Sequence, residues 1–240
     1  MTAHGCELMT DGRRIAGGGA VIGVGAGGHA KVLIDALQLC GRAVHALVDA
    51  ATARHGQQVL GVPVLGGDEL LPAIRASGLC HAFIGVGTAR STTARVRLWR
   101  ELHDLGFEVV NVVHPAAAIS PHAVLGRGVT VLARAVINPA ATLGDNVLVN
   151  TAAVVEHDCE IGDHVHLATG CVLAGGVTVE AGAFVGAGAV IKPGVRIGAH
   201  SVVGAGAVVV RDVPANVIVS GVPARIHVPE VRPCAIRLAS

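Results

Sequence analysis

From Pro121 the chain can be cut in sixes, PHAVLG RGVTVL ARAVIN PAATLG DNVLVN TAAVVE HDCEIG DHVHLA TGCVLA GGVTVE AGAFVG AGAVIK PGVRIG AHSVVG AGAVVV, and fifteen hexads fit without an insertion. The fifth position is Leu, Val or Ile in every hexad, from Leu125 and Val131 to Val203 and Val209, while the third is Ala, Val, Cys or Ser. An amphipathic helix repeats its apolar face every 3.6 residues and cannot hold a strict period of six, whereas short strands separated by turns can. The period therefore predicts a β-solenoid in which one large and one small residue alternate into a narrow core. Each buried aliphatic contributes roughly 1.5–3 kcal/mol before chain entropy is set against it, so the register supplies ample driving force.

Ahead of the hexads the pattern changes. The run VIGVGAGGHAKVLIDALQLCG predicts a strand, a Gly-rich turn and a helix closed by Gly41, and a second strand, AVHALVDA, ends at Asp49. A third strand, HAFIGVG, precedes an Arg-rich helix carrying Arg90, Arg95, Arg97 and Arg100, and a last strand around 109–113 leads into the repeats. Gly23, Gly25 and Gly28 satisfy G-x-G-x-x-G, and with Asp49 they imitate a dinucleotide-binding fingerprint. The unit is a small Rossmann-like α/β domain, too short for both halves of a two-nucleotide site, which counts against a dehydrogenase. The organisation expected is a flexible tail over 1–19, the Rossmann-like domain over 20–113, the β-helix over 114–227 and a C-terminal tail over 228–240.

Composition narrows the partners. The net charge is +1, and one Trp, three Phe and no Tyr provide neither a basic field nor stacking platforms, so nucleic acid is excluded as a partner. No stretch reaches about 18 uninterrupted apolar residues and the first 19 residues lack an apolar signal core, so a soluble cytoplasmic protein without a membrane partner is expected. The six cysteines show no CxxC spacing and read as buried or incidental thiols.

The hexads resemble the left-handed parallel β-helix of hexapeptide acyltransferases, in which three hexads form one triangular coil. The left hand is implied by the resemblance alone, since general crossover rules favour the opposite. With three hexads per coil, residues 18 apart stack about 4.8 Å apart. The first-position column then runs Pro121, Pro139, His157, Gly175, Pro193. Proline suits a corner with no ladder donor to lose, and the column is broken at two neighbouring coils by a titratable side chain and by a residue with none. A base beside a backbone open to close approach is what a site needs; the alternative is that Gly175 turns a corner and His157 is merely solvated.

The segment NTAAVVEHDCEIG, Asn150 to Gly162, resembles the active-site stretch of the sugar acetyltransferases that include bacillosamine N-acetyltransferase, perosamine N-acetyltransferase and the sialic acid O-acetyltransferases. GAGGHAKV at Gly25 to Val32, HPAAAISP at His114 to Pro121, AGGVTV at Ala174 to Val179 and GVPAR at Gly221 to Arg225 extend the likeness over residues 20–227. The resemblance implies His157 as general base and Asp158 as the carboxylate that orients it. It implies His166 at the thioester end of acetyl-CoA, the Gly175 N–H at the developing oxyanion, and Ala187, Ala205 and Arg225 as further acetyl-CoA contacts. It implies a nucleotide-linked sugar held by Gly25, Gly27, Gly28, His29 and Asp49, with Thr88, Arg90 and Asn150 helping. An imidazole of pKa near 6.5 suits this chemistry, because the attacking amine must lose a proton as the new bond forms.

The function implied is acetyl-CoA-dependent N-acetylation of a nucleotide-linked deoxyamino sugar, on GDP or UDP, in glycan or O-antigen synthesis, by a homotrimer with Phe184 as a candidate contact. The alternatives are a sugar O-acetyltransferase of the sialic acid type and a non-catalytic nucleotide-sugar-binding β-helix. Two departures from the family, Ala50 in place of a second acid and Thr88 in place of Asn, leave the base open. A zinc cluster of His157, Asp158, His164 and His166 is a rival, but His157 and His166 lie half a coil apart, so no metal is expected. His164 and His200, both at second positions, are expected to face outward without a role.

Overall fold

The computed structural model describes residues 9–10, 13–14, 19–87 and 92–227. Met9–Thr10 and Arg13–Arg14 pair as a small antiparallel ribbon. The N-terminal sheet has six strands: β1 Val21–Val24, β2 Val44–Val48, β3 Gln58–Val59, β4 Val62–Gly66, β5 His81–Ile84 and β6 Glu108–Val109, in the order β3-β4-β2-β1-β5-β6. All pairs are parallel except β3 with β4. Helices α1 (Gly28–Leu39), α2 (Leu71–Ala76) and α3 (Thr93–Asp104) pack on it. Helix α1 stops where Gly41 adopts φ +71° and Arg42 N–H reaches back to the Leu37 carbonyl at 2.9 Å.

The β3–β4 hairpin and α2 are additions to the elements read from the sequence. The hairpin turns at Leu60 and Gly61, both with positive φ. Such a turn usually carries Asn-Gly or Asp-Gly, and a leucine there conceals the signal.

The strand expected around 109–113 is two strands in different sheets. Glu108–Val109 closes the N-terminal sheet, and Val112–Val113 pairs with Thr130–Val131 as the first rung of the β-helix. The chain changes sheets at Asn111, whose buried amide donates to the Gly126 carbonyl at 3.0 Å and accepts the Val129 N–H at 2.9 Å. The coils thus begin before Pro121.

The two-residue strands form three parallel faces. Face 1 holds the strands starting at Val112, Thr130, Leu148, His166, Phe184 and Val202 and ends on Ile218–Gly221 and Ala224–Ile226; face 2 holds those starting at Ala118, Val136, Val154, Val172, Val190 and Val208; face 3 holds those starting at Val124, Thr142, Glu160, Thr178 and Arg196. The register is 18 residues, as in Val154↔Val172 and His166↔Phe184, and shortens to 16 only in the last coil, where Val202 pairs with Ile218. From Gly128 to Gly206 the second residue of every hexad has positive φ, which is why Gly, Asn, Asp and His recur there. Third- and fifth-position side chains fill the interior, including Cys159 and Cys171.

Among the described residues, face 1 is the face that the N-terminal domain covers from outside. Leu33, Ile34 and Leu37 of α1 share a cluster with Val112, Leu132 and Leu148. The edge between faces 3 and 1 is held as well, where the Trp99 ring meets His164 and the Thr92 hydroxyl donates to the Gly182 carbonyl at 3.4 Å. His164 therefore does not face outward as expected: it packs against α3, and its Nδ1 lies 3.0 Å from Asn146.

Candidate functional site

His157 sits at the edge between faces 2 and 3, largely exposed, with Nδ1 2.7 Å from an oxygen of Asp158. The contact follows from the corner geometry: φ of +59° at Asp158 turns its short side chain back toward its neighbour. The hydrogen bond to Asp158 holds the imidazole above its ordinary value, and the nearby Glu156 acts in the same sense. Glu156 is itself fixed by the Asn138 amide at 2.8 Å. The pairing leaves Nε2 as the ring nitrogen available to take a proton.

Gly175 stacks beside this ring. A Cβ built on it would come within 2.6 Å of His157 Cε1 and Nε2, so the ring lies over the bare glycine backbone. The edge ladder runs from second-position N–H groups to first-position carbonyls, for example Gly176 N–H to His157 O at 2.9 Å and Gly194 N–H to Gly175 O at 3.0 Å. The Gly175 N–H takes no part in that ladder.

The other predicted acetyl-CoA contacts lie elsewhere on the prism. Ala187 and Ala205 stack at the edge between faces 1 and 2, with Gly206 N–H on the Ala187 carbonyl at 2.8 Å. His166 is on face 1, buried, in edge-to-face contact with Phe184 at 5.0 Å and 3.3 Å from the Asn150 amide. Arg225 is exposed on the final strand, its guanidinium on the Ala224 carbonyl at 2.9 Å. One chain therefore brings Asn150 to His166 and Gly175 to His157, but keeps the two pairs on different sides of face 2. Among the described residues no group of three His, Cys, Asp or Glu side chains is placed to hold a metal ion.

In the N-terminal domain the glycines divide by role. A Cβ at Gly23 would strike Leu47 and Phe83, and Gly25 has φ +99° against Val86, so these two serve packing and the turn. Gly27 and Gly28 face open space at the start of the 12-residue α1, whose first turn has no side-chain cap and no acid. Such an end attracts anionic oxygens. Asp49 shapes this turn: one oxygen accepts the Ala26 N–H at 2.6 Å and the other the Ala51 N–H at 2.8 Å. Arg54 completes the clamp by donating to the Ala26 carbonyl at 2.8 Å, a role that its place in the sequence did not announce.

His29, next on α1, is largely buried, its Nε2 has no partner among the described residues, and its pKa is lowered to about 3 by burial, by Arg95 and by His166. Arg95 is buried as well, binds the carbonyls of Ile84 and Val86 at 3.0 and 3.3 Å, and so braces the turn after β5. Thr88 and Arg90 lie outside the described residues.

A family model for the PglD N-terminal domain matches residues 20–97, and one for the bacterial transferase hexapeptide (six repeats) matches residues 140–175 and 176–211. Among solved structures, PerB from Caulobacter crescentus in complex with CoA and GDP-perosamine is 48% identical, with a TM-score of 0.82 and 88% of this chain and 98% of that one covered. The acetyltransferase domain of PglB from Neisseria gonorrhoeae in complex with acetyl coenzyme A is 32% identical, with a TM-score of 0.80 and 88% and 100% covered. WeeI from Acinetobacter baumannii is 26% identical, with a TM-score of 0.68 and 87% and 99% covered. Among curated protein sequences none matches.

Proposed function

The chain belongs to the hexapeptide-repeat, left-handed β-helix family of CoA-dependent nucleotide-sugar N-acetyltransferases that includes perosamine N-acetyltransferase, and we propose that it transfers acetyl from acetyl-CoA to the amine of a nucleotide-linked deoxyamino sugar. The observation that carries this reading is the His157–Asp158 pair, 2.7 Å apart on an exposed edge over the bare backbone of Gly175. The sugar amine attacks the thioester carbonyl and a C–N bond forms. His157 Nε2 takes the amine proton, and Asp158 stabilises the imidazolium. The Gly175 N–H, outside the edge ladder, is available to the oxyanion. As the tetrahedral intermediate collapses the C–S bond breaks, and the proton on His157 neutralises the departing CoA thiolate. The diphosphate rests at Gly27 and Gly28, on the open end of α1.

The working unit in this reading is a homotrimer. The outward residues of face 2 are Ala118, Val136, Val154, Val172, Val190 and Val208, an apolar stripe that no other element among the described residues covers. Face 3 instead shows Val124 and then Thr142, Glu160, Thr178 and Arg196. Three copies with face 2 turned to a common axis bury the stripe. The same packing brings the 1–2 edge of one copy, with Ala187, Ala205 and the nearby Asn150 and His166, against the 2–3 edge of the next, with His157 and Gly175. The two halves that one chain keeps apart then meet in one groove. Phe184, packed on His166 beside that groove, becomes part of its wall and not of the apolar stripe. No helix among the described residues is long and apolar enough to cross a membrane. We place the enzyme in the cytoplasm, where acetyl-CoA and nucleotide sugars are found, at a step in glycan assembly.

The test is incubation with acetyl-CoA and a panel of GDP- and UDP-linked amino sugars, reading free thiol and product mass. Thiol release with a mass gain of one acetyl group on the sugar is expected, and His157→Ala is expected to lower turnover about 10²–10⁴-fold with the fold intact. Wild-type turnover in that variant would remove the base from the mechanism.

A further inference from the structure

Two carboxylates flank His157, and the corner sends them to opposite sides. Glu156 follows the face 2 strand Val154–Val155 directly, while Asp158 leads into the face 3 strand Glu160–Ile161. Asp158 is engaged by His157 Nδ1 at 2.7 Å. Glu156 is half-buried at the margin of face 2, and one of its oxygens accepts the Asn138 amide at 2.8 Å. Among the described residues its other oxygen has no hydrogen bond and no ion pair. The carboxylate is near enough for its charge to act on the His157 ring.

The sixth-position column at this corner runs Ser120, Asn138, Glu156, Ala174, Lys192, beside the first-position column Pro121, Pro139, His157, Gly175, Pro193. The Asn138–Glu156 bond and the His157 ring over Gly175 show both columns in register. In the coil after Glu156 and His157, the two columns hold only a methyl group and a hydrogen atom as side chains. They leave a notch beside the carboxylate and the imidazole. Glu156 borders it on the side of face 2, the face turned to the neighbouring copy in the trimer proposed above.

We propose that Glu156 selects an amine over a hydroxyl as the acetyl acceptor: its free oxygen takes one N–H of the attacking amine while His157 Nε2 takes the other. The inference rests on the acetyl-transfer reading above and adds the residue that decides between the two acceptor classes. An ionised carboxylate and an imidazole nitrogen whose ring partner is bound to Asp158 are both acceptors and offer no donor. A primary amine on a sugar carbon has two N–H donors and one lone pair. With both donors held, the lone pair is left for the thioester carbon. A hydroxyl has one donor. Once that is given to His157 Nε2, an oxygen lone pair is set against the Glu156 carboxylate. As the C–N bond forms the nitrogen gains positive charge, which Glu156 stabilises through its charge-assisted hydrogen bond. His157 then removes the proton on its own side, and Glu156 stays ionised throughout.

Thiol release by the intact protein, with GDP- and UDP-linked sugars that carry either an amine or a hydroxyl at the same acceptor carbon, tests this. The wild type is expected to acetylate the amine and to turn over the hydroxyl far more slowly. In Glu156→Gln the Asn138 amide still needs an acceptor, so the new amide keeps its oxygen there and turns its NH₂ toward the notch. That variant should lose about 10–100-fold in kcat/KM for the amine, the worth of one hydrogen bond to a charged group. Its kcat/KM for the hydroxyl should stay level or rise, because a donor now meets the oxygen lone pair, and its melting temperature should match the wild type. A merely structural role for Glu156 would lower both acceptors alike, and that result overturns the proposal, as do unchanged amine kinetics. Wild-type preference for the hydroxyl overturns it without any variant and leaves acetyl transfer standing. Turnover of neither sugar by the wild type removes both readings.

Discussion

His29 carries a penalty that acid should expose. Its imidazole is held neutral in the first turn of α1, with its pKa lowered from 6.5 to about 3 by burial, by Arg95 and by His166. A lowered folded value means that the unfolded chain takes up the proton first as pH falls. The resulting stability is complete above the unfolded pKa and is lost progressively from about 6.5 down to about 3. Between about pH 7 and pH 5 the linkage amounts to roughly 1.5 pH units of differential protonation, or about 2 kcal/mol. His29→Gln removes the titration and keeps a polar side chain of similar reach. Urea unfolding at the two pH values, at one protomer concentration, isolates the effect, because contributions of other histidines cancel between wild type and variant. The wild type is expected to lose about 2 kcal/mol more than the variant over that step. An identical pH dependence in both proteins would show that His29 is protonated in the folded state and that its burial beside Arg95 has been misread.

Four further outcomes follow from the geometry. Asp158→Asn removes the hydrogen bond that raises His157, so the acid limb of the kcat/KM profile should move to lower pH while turnover falls less than in His157→Ala; an unmoved limb would sever the pair. Gly175→Val places carbon within 2.6 Å of the His157 ring and should depress turnover or raise the acetyl-CoA KM while leaving nucleotide-sugar affinity intact, and unchanged acetyl-CoA kinetics would refute the stacking. Val172→Glu puts a charge in the apolar stripe of face 2 and should yield monomers by light scattering together with loss of activity; an active monomer would refute the shared groove. Asp49→Ala releases the Ala26 N–H and should weaken nucleotide-sugar binding by about tenfold or more without touching acetyl-CoA affinity, both measurable by calorimetry.

The solenoid was legible in one dimension because its core is built from residues at fixed spacing. A period of six with a large fifth and a small third position can bury those side chains only in short stacked strands, and the 18-residue column that put Gly175 beside His157 reappears as a contact between the two. The family resemblance implied the pairing of His157 with Asp158, and the folded corner places the two side chains 2.7 Å apart.

Contacts between segments far apart in the chain were decided by the tertiary structure alone. The Asp49 carboxylate, read as a ligand of the nucleotide, holds the turn, and Arg54 joins it from the short 3-10 helix Thr52–Arg54, which carries no motif. The β3–β4 hairpin escaped because leucine occupies its turn. His164, spaced like an outward corner residue, is covered by Trp99 because α3 docks on that edge. Periodicity specifies which side chains enter a core. Which surfaces are then covered, and which polar groups find partners, depends on how distant segments pack, and that is a property of the folded chain.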